Sequence, residues 1–215
     1  MQKVTLTFDN GPEPTVTPNV LDCLTANQVA ATFFVVGFKV ATPEGTALVR
    51  CASERGHRIG NHTFSHVKPL GELDRATALN EFERAESALS WLDQSLRLFR
   101  PYGRAGKLGR HLLHPAVVEK LEEGGYTCVL WNSVPGDWRD PNGWVDRAIK
   151  DCRSRPWSLI VLHDTPTGAM LHLDRFIKQL RAEGMEFTQE YPPECLPMVQ
   201  GKIVGPLDSY VSGRI

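Results

Sequence analysis

Hydrophobic and polar positions follow two different periods along this chain of 215 residues. Short apolar runs rich in β-branched and aromatic residues, such as KVTLTFDN, VAATFFVVG and WSLIVLHD, are typical of buried strands. Between them, stretches such as PNVLDCLTANQ and PEGTALVRCASERG place apolar residues at helical spacing. Strand and helix alternate about seven times, which predicts an α/β fold with a parallel sheet and helices outside it.

The pattern also sets the expected extent of the domain. A long amphipathic stretch from about Asp74 to Leu98 predicts the longest helix, with its apolar residues on one stripe. No internal repeat or low-complexity linker divides the chain, so we expect a single domain over 1–215. Its core should span about 3–190, and the proline-rich segment from about Pro192 is expected to be an irregular tail.

Composition and charge narrow the function classes. The formal net charge of −1 gives no reason to expect binding to nucleic acid or to a membrane surface. The apolar runs are too short to span a bilayer, and MQKVTLTFDN lacks the pattern of a signal peptide. The five cysteines are scattered and form no CxxC pair, as is typical of reduced thiols. We therefore expect a cytoplasmic protein.

Polar side chains cluster where the predicted strands end. A single such residue would be explained as a turn residue or a helix cap. Five successive strands, however, end in polar or titratable side chains, namely Asp9 and Asn10, His62 and His66, Arg100 and Tyr102, Asp137 and Trp138, and His163 and Asp164. The carboxyl ends of strands form the active face of parallel barrels, so this distribution indicates an enzyme.

The segments TFDNGP, GNHTFSH, FRPYG, WNSVPGDW and IVLHD occur in this order along the chain. In order and approximate spacing they resemble the motifs of the polysaccharide deacetylases, also called carbohydrate esterase family four, whose core is the nodulation-protein-type deacetylase domain. The resemblance extends from Thr5 to about Leu180. It implies a distorted, incomplete (β/α) barrel with about seven parallel strands.

The resemblance implies that Asp9 is the general base and that His62 and His66 bind a divalent metal ion, most plausibly zinc. If HTFSH begins a helix, the two imidazoles lie on one face of it. The family's third metal ligand is a second acid, whereas this chain has Asn10. An amide offers a neutral oxygen without charge, so we expect a weakened metal site. A metal-free hydrolase and an inactive relative remain open as alternatives.

The later motifs imply the remaining roles. Arg100 is expected to pair with Asp9, and the backbone N–H of Tyr102 would stabilise an oxyanion beside the substrate. His163 would be the general acid, with Asp137 tuning it and Trp138 walling the substrate pocket. The segment RPYG is one residue shorter than the commonest version. Val134 stands where a second acid is expected, which leaves Asp137 as the one acid of its motif.

These residues predict a hydrolase of carbon–nitrogen bonds other than peptide bonds. Removal of the acetyl group from an N-acetylated amino sugar or oligosaccharide is the function closest to the resemblance. A metal-independent hydrolase of small or cyclic amides, of the allantoinase or imidase kind, is the first alternative. An inactive carbohydrate-binding relative is the second. The sequence leaves the oligomeric state open.

Overall fold

The computed structural model describes residues 2–93 and 95–213. Within them, strands and helices alternate as the sequence predicts. The strands are β1 Lys3–Asp9, β2 Thr32–Val35, β3 Arg58–Asn61, β4 Leu98–Phe99, β5 Thr127–Cys128, β6 Trp157–His163, β7 Glu186–Phe187, β8 Met198–Val199 and β9 Lys202–Ile203. The helices are α1 Thr17–Ala26, α2 Gly37–Val40, α3 Pro43–Glu54, α4 Arg75–Leu89, α5 Pro115–Glu123, α6 Trp144–Ser154 and α7 Leu173–Ala182.

The sheet curls into an incomplete barrel. Strands β6, β1, β2, β3, β4 and β5 lie side by side in this order and run parallel. Strand β7 pairs in parallel with the first residues of β1, while β2 pairs with its last residues. The prediction of a distorted (β/α) barrel with about seven parallel strands is therefore confirmed. Two short antiparallel strands, β8 and β9, extend the sheet beyond β5.

The seam between β5 and β6 closes without a continuous strand. The Ser133 N–H donates to the Leu159 carbonyl, and the Val161 N–H donates to the Ser133 carbonyl. Further down the seam, the Leu130 N–H donates to the carbonyl of Cys195, in the C-terminal segment. One isolated bridge and a segment from the end of the chain thus replace the ladder that a complete barrel would have.

The C-terminal segment is part of the core, although its sequence predicts an irregular tail. Strand β8 pairs with β5, and β9 folds back on β8. The buried side chains that this segment adds to the core are Tyr191, Cys195, Met198, Leu207 and Val211. Without this segment β5 would be an edge strand, because β6 does not pair with it continuously, and β8 supplies its second neighbour.

The longest helix is shorter than the sequence predicts. Helix α4 begins after Asp74, whose carboxylate accepts the Thr77 N–H, and it ends at Leu89 rather than near Leu98. The Trp91 indole N–H donates to the carbonyl of Ala88, one of the last in the helix. This bond satisfies one of the carbonyl groups that the end of the helix leaves without an intrahelical partner, and the apolar periodicity continues beyond it. No helix among the described residues is long and apolar enough to cross a membrane.

Candidate active site

The last residues of β1 and β6 bring the predicted base and acid together. Strands β1 and β6 pair from Lys3 and Trp157 to Asp9 and His163, which are direct neighbours in the parallel register. Both side chains line one cavity of about 400 Å³ at the carboxyl end of the barrel. Asn10, His62, His66, Tyr102 and Trp138 line the same cavity.

Asp9 is held by a buried guanidinium. Arg100 is 0% exposed, and its Nη1 lies 2.8 Å from Asp9 Oδ1. The remaining donors of Arg100 bind the Thr7 hydroxyl oxygen and the carbonyl oxygens of Val129 and Leu130. Because these contacts hold the planar guanidinium of Arg100 inside the barrel, Arg100 fixes the position of the Asp9 carboxylate. The predicted pairing of Arg100 with Asp9 is present.

His163 is held by Asp137, the single acid of its motif. The carboxylate of Asp137 is buried, accepts the His163 backbone N–H at 2.8 Å and contacts Nδ1 of the ring at 2.9 Å. Burial by itself would lower the pKa of His163, but the hydrogen bond and charge of Asp137, together with the charges of Asp9 and Asp164, outweigh it and raise the pKa above 6.5. The ring of Trp138 packs against the His163 imidazole in a T-shaped arrangement, with centroids 4.8 Å apart. The absence of an acid at Val134 therefore does not leave His163 without a carboxylate.

The two candidate metal ligands lie on a loop, so the condition that HTFSH begins a helix is not met. Thr63 and His66 have φ values of 67° and 54°, in the left-handed region, which an α-helix does not use. Contacts with α2 and α4 impose this backbone, so it could not be deduced from the local sequence. The loop still brings the imidazoles of His62 and His66 together, with ring centroids 4.7 Å apart.

Both imidazoles are neutral in this environment. Burial is the main cause that lowers the pKa of His62, and burial together with His62 and His163 lowers the pKa of His66 to about 2. The His62 Nδ1–H donates to the carbonyl oxygen of Arg100 at 2.8 Å, which leaves the lone pair of Nε2 facing the cavity. Nε2 lies 3.6 Å from Asp9 Oδ2. A lone pair and a carboxylate repel each other, so a shared proton donor or cation would stabilise this arrangement.

Asn10 gives a direct test of whether these residues fit a metal ion. Its Oδ1 is buried and has no hydrogen-bond donor among the described residues, although a buried oxygen normally has one. With the lone pairs of His62 and His66 it forms an acceptor set that fits a divalent cation. Within residues 2–93 and 95–213, no three His, Cys, Asp or Glu side chains form a group that could hold a metal ion, and the third acceptor of the set described here is an amide.

The remaining predicted residue, Tyr102, lies beside the histidine loop. Its ring packs on His66, with centroids 4.0 Å apart, and its backbone N–H has no acceptor among the described residues. This N–H therefore remains available to a substrate oxygen. Trp131, Val134 and the segment 103–106 also line the cavity, although they were not among the predicted site residues. The Trp131 indole N–H donates to the Gly106 carbonyl oxygen, and no sequence motif predicts this contact between distant parts of the chain.

Two histidines and one acid outside the predicted set have structural contacts. His114 caps α5, since its Nδ1 accepts the Ala116 N–H, as its position before a proline suggests. His57 is buried, and its Nδ1 accepts the Ala31 N–H. Asp164 is fully buried, accepts the Thr17 hydroxyl and lies against Gly11, where a Cβ would overlap its carboxylate. Burial raises the pKa of Asp164 to about 7. Its proximity to Gly11 places this buried carboxyl group beside the loop that carries Asn10.

Fold and site together define a barrel hydrolase that acts on carbon–nitrogen bonds outside peptides. The sequence profile of the polysaccharide deacetylase family matches residues 1–126, and the chain therefore belongs to this family. Members of carbohydrate esterase family four generally use a divalent metal ion.

Individual relatives agree with this assignment. The chain is 31% identical over 192 residues to a peptidoglycan-N-acetylglucosamine deacetylase of Bacillus cereus, a match that covers 86% of this chain and 84% of the relative. It is 36% identical over 169 residues to a chitooligosaccharide deacetylase of a Bradyrhizobium species, covering 76% and 71% of the two chains. The family 4 carbohydrate esterase of Streptomyces lividans in complex with acetate superposes with a TM-score of 0.72 at 25% identity, covering 95% and 98%.

Proposed function

We propose that this protein removes the acetyl group from N-acetylated amino sugars in oligosaccharides or polysaccharides. The observation that carries the proposal is that Asp9 and His163 are neighbours in the register of β1 and β6. The buried partner of Asp9 is the cation Arg100, and the buried partner of His163 is the carboxylate of Asp137. The relatives that act on peptidoglycan N-acetylglucosamine and on chitooligosaccharides support an N-acetylglucosamine unit as the substrate.

Each residue has a definite task in this reaction. Asp9, fixed by Arg100, accepts a proton from the attacking water, and the Tyr102 N–H donates to the oxyanion of the tetrahedral intermediate. His163 donates a proton from Nε2 to the leaving amine, because its Nδ1 is engaged by Asp137. Trp138 and Trp131 line the cavity, where their apolar ring faces would pack against a sugar ring.

His62, His66 and Asn10 would hold a divalent metal ion, for which zinc suits the two imidazoles best. When bound, this ion would polarise the acetyl carbonyl and make a nearby water more acidic. A carboxylate would add a negative charge that Asn10 lacks, so binding is expected to be weaker than in a site with two imidazoles and an acid.

The neutral amide at position 10 favours one other candidate, a metal-independent hydrolase of small or cyclic amides. In that case Asn10 Oδ1 would accept a hydrogen bond from a substrate N–H, which would satisfy its buried oxygen equally well. The cavity of about 400 Å³ has room for either a single sugar unit or a small ring.

Acetate release from N-acetylglucosamine oligomers, measured with and without added zinc, tests the proposal. We expect Asp9→Asn and His163→Gln to reduce the rate by about 10² or more, as is usual for a general base or acid. Asp22→Asn, at an exposed carboxylate paired with Arg55, is the matched control and should keep the rate. Turnover of cyclic amides instead of sugars would support the second candidate, and sugar binding without turnover would indicate an inactive relative.

A further inference from the structure

The loop Asn61–His66 has a backbone that its own sequence does not favour. Thr63, a β-branched residue, and His66 both have left-handed φ values. Such residues raise the energy of the chain and persist only where neighbouring groups fix them. We therefore asked which side chains hold this loop.

One set of bonds comes from α2 and from the loop itself. The Gly37 N–H and Phe38 N–H donate to the carbonyl oxygens of Thr63 and Phe64. The Thr63 N–H donates to the side-chain oxygen of Asn61 at 2.8 Å. These contacts fix the first half of the loop, and they leave Ser65 and His66 to be held from elsewhere.

Helix α4 supplies the second set. Glu81 accepts the Ser65 backbone N–H at 2.8 Å with Oε2 and the Ser65 hydroxyl at 2.7 Å with Oε1. One turn further along, Glu86 accepts the Asn61 side-chain N–H, and the Arg84 guanidinium covers the Phe64 ring at 3.7 Å. One helix thus contacts the loop at three positions.

Glu81 differs from an ordinary helix glutamate. It is only 9% exposed, and no Lys, Arg or His among the described residues forms an ion pair with it. Burying a carboxylate without a cation is unfavourable unless hydrogen bonds satisfy its oxygens. Here both bonds go to Ser65, the residue immediately before His66, and the next two residues, Val67 and Lys68, are exposed.

We propose that Glu81 is the positioning residue for His66: its two bonds to Ser65 keep the strained backbone in place and hold the imidazole in the cavity. The inference rests on the proposed function, since it gives His66 its task there. A methionine at position 81 has a side chain of similar length and no oxygen, so it accepts neither bond. Loss of the clamp would let the His66 ring leave its contact with Tyr102.

The test compares Glu81→Met with Glu83→Met, a matched variant on the exposed side of the same helix. The first readout is the proton NMR spectrum of the His66 ring in the metal-free protein. The centroids of the His66 and Tyr102 rings are 4.0 Å apart, so the signals of His66 are displaced by the ring current. We expect Glu81→Met to move these signals toward the values of an unstacked histidine and Glu83→Met to leave them unchanged.

The second readout is zinc affinity by calorimetry. Removing a group that orients a metal ligand weakens binding by about 10–100-fold, which we expect for Glu81→Met only. Ser65→Ala, which removes only the hydroxyl bond, should give a smaller shift of the same sign in both readouts. If Glu81→Met does not fold, Ser65→Ala decides, and values equal to those of the original protein would refute the proposal.

The two proposals fail in different ways. If the original protein binds no zinc, the metal site is wrong, and the NMR signals of the His66 ring still test the role of Glu81. If it binds zinc and the Glu81→Met and Glu83→Met variants agree in both readouts, Glu81 does not position His66, while the proposed function stands.

Discussion

The guanidinium of Arg100 and the carboxylate of Asp9 form an ion pair at 2.8 Å inside the barrel, with Arg100 wholly shielded from solvent. A buried ion pair is stable only while both partners remain, because a single buried charge is very unfavourable. Here the guanidinium also satisfies the carbonyl oxygens of Val129 and Leu130. Arg100 therefore stabilises the fold and also holds the carboxylate that the proposed reaction uses as its base.

Replacing Arg100 by Met should reduce the free energy of unfolding by about 3–5 kcal/mol, the range for removing one member of a buried pair. Urea denaturation measures the loss. Arg97→Met, which removes an exposed guanidinium near Tyr126, is the control and should change stability by less than about 1 kcal/mol. Equal losses in the two variants would contradict the assignment of Arg100 as a buried structural cation.

Asp137→Asn should lower the pKa of His163. Burial opposes protonation of this ring, and the hydrogen bond and charge of Asp137 reverse that effect, so removing the charge should move the pKa down. A nitrogen-15 NMR titration of the metal-free protein gives the value directly, whether or not the protein is active. Asp140→Asn, at an exposed carboxylate paired with Arg147, should leave the His163 titration unchanged.

The same substitution predicts a change in the pH profile of activity. His163 must be protonated to act as an acid, so activity falls when pH rises through its pKa. We expect the alkaline limb of the profile to move to lower pH in Asp137→Asn. A limb that stays in place would show that another group limits the reaction at high pH.

Asn10→Asp should strengthen zinc binding by about tenfold or more, since ligand charge strongly affects the affinity for a divalent ion. The backbone can accept the change, because Asp, like Asn, tolerates the left-handed conformation that Asn10 has at φ 74°. Calorimetry with zinc measures the gain. Asn19→Asp, exposed on α1, adds the same charge away from the site and should not alter affinity.

His57 should make stability depend on pH in the acidic range. Burial, foremost, and the charge of Arg55 lower its pKa from 6.5 to about 4, so the unfolded chain binds more protons between these values. The stabilisation is complete above 6.5 and is lost as pH falls toward 4. His57→Asn keeps an acceptor for the Ala31 N–H and should reduce this dependence in urea denaturation, whereas His172→Asn should not.

The C-terminal hairpin offers a matched pair of substitutions. Met198 on β8 and Ile203 on β9 are register partners, but Met198 is buried and Ile203 is half exposed. Met198→Ala should cost about 2–5 kcal/mol and Ile203→Ala less than about 0.5 kcal/mol. A small effect at Met198 would mean that this segment is an appendage, as its sequence suggests, and not part of the core.

The sequence predicts the barrel and the side chains at its carboxyl end because both follow from the alternation of strands and helices. Alternating strands and helices impose a parallel sheet, and parallel strands bring their carboxyl ends to one edge. Asp9 and His163 are therefore neighbours although most of the chain separates them. Each of the nine residues predicted for the site lies at this edge or, like Arg100 and Asp137, directly supports it.

The errors have a common physical origin. The backbone of HTFSH is a loop and not a helix because α2 and α4 bind it from both sides, which no window of local sequence reveals. Helix α4 ends at Leu89 although the apolar periodicity continues, so periodicity alone does not determine where the helix ends. The C-terminal segment lacks periodicity but fills the seam of the barrel, so its order is set by distant partners such as Leu130.

The pairing of β1 with β6 also bears on how the chain folds. Asp9 lies on the first strand, and its neighbour His163 is far along the chain, so the acid–base pair forms only when a very long loop closes. During synthesis, the amino-terminal half can build β1 to β4 with their helices before β6 exists. Until then the edge of β1 has no partner, and the nascent chain exposes an apolar strand that other chains can bind. Catalytic competence and protection from aggregation are thus acquired in the same late event.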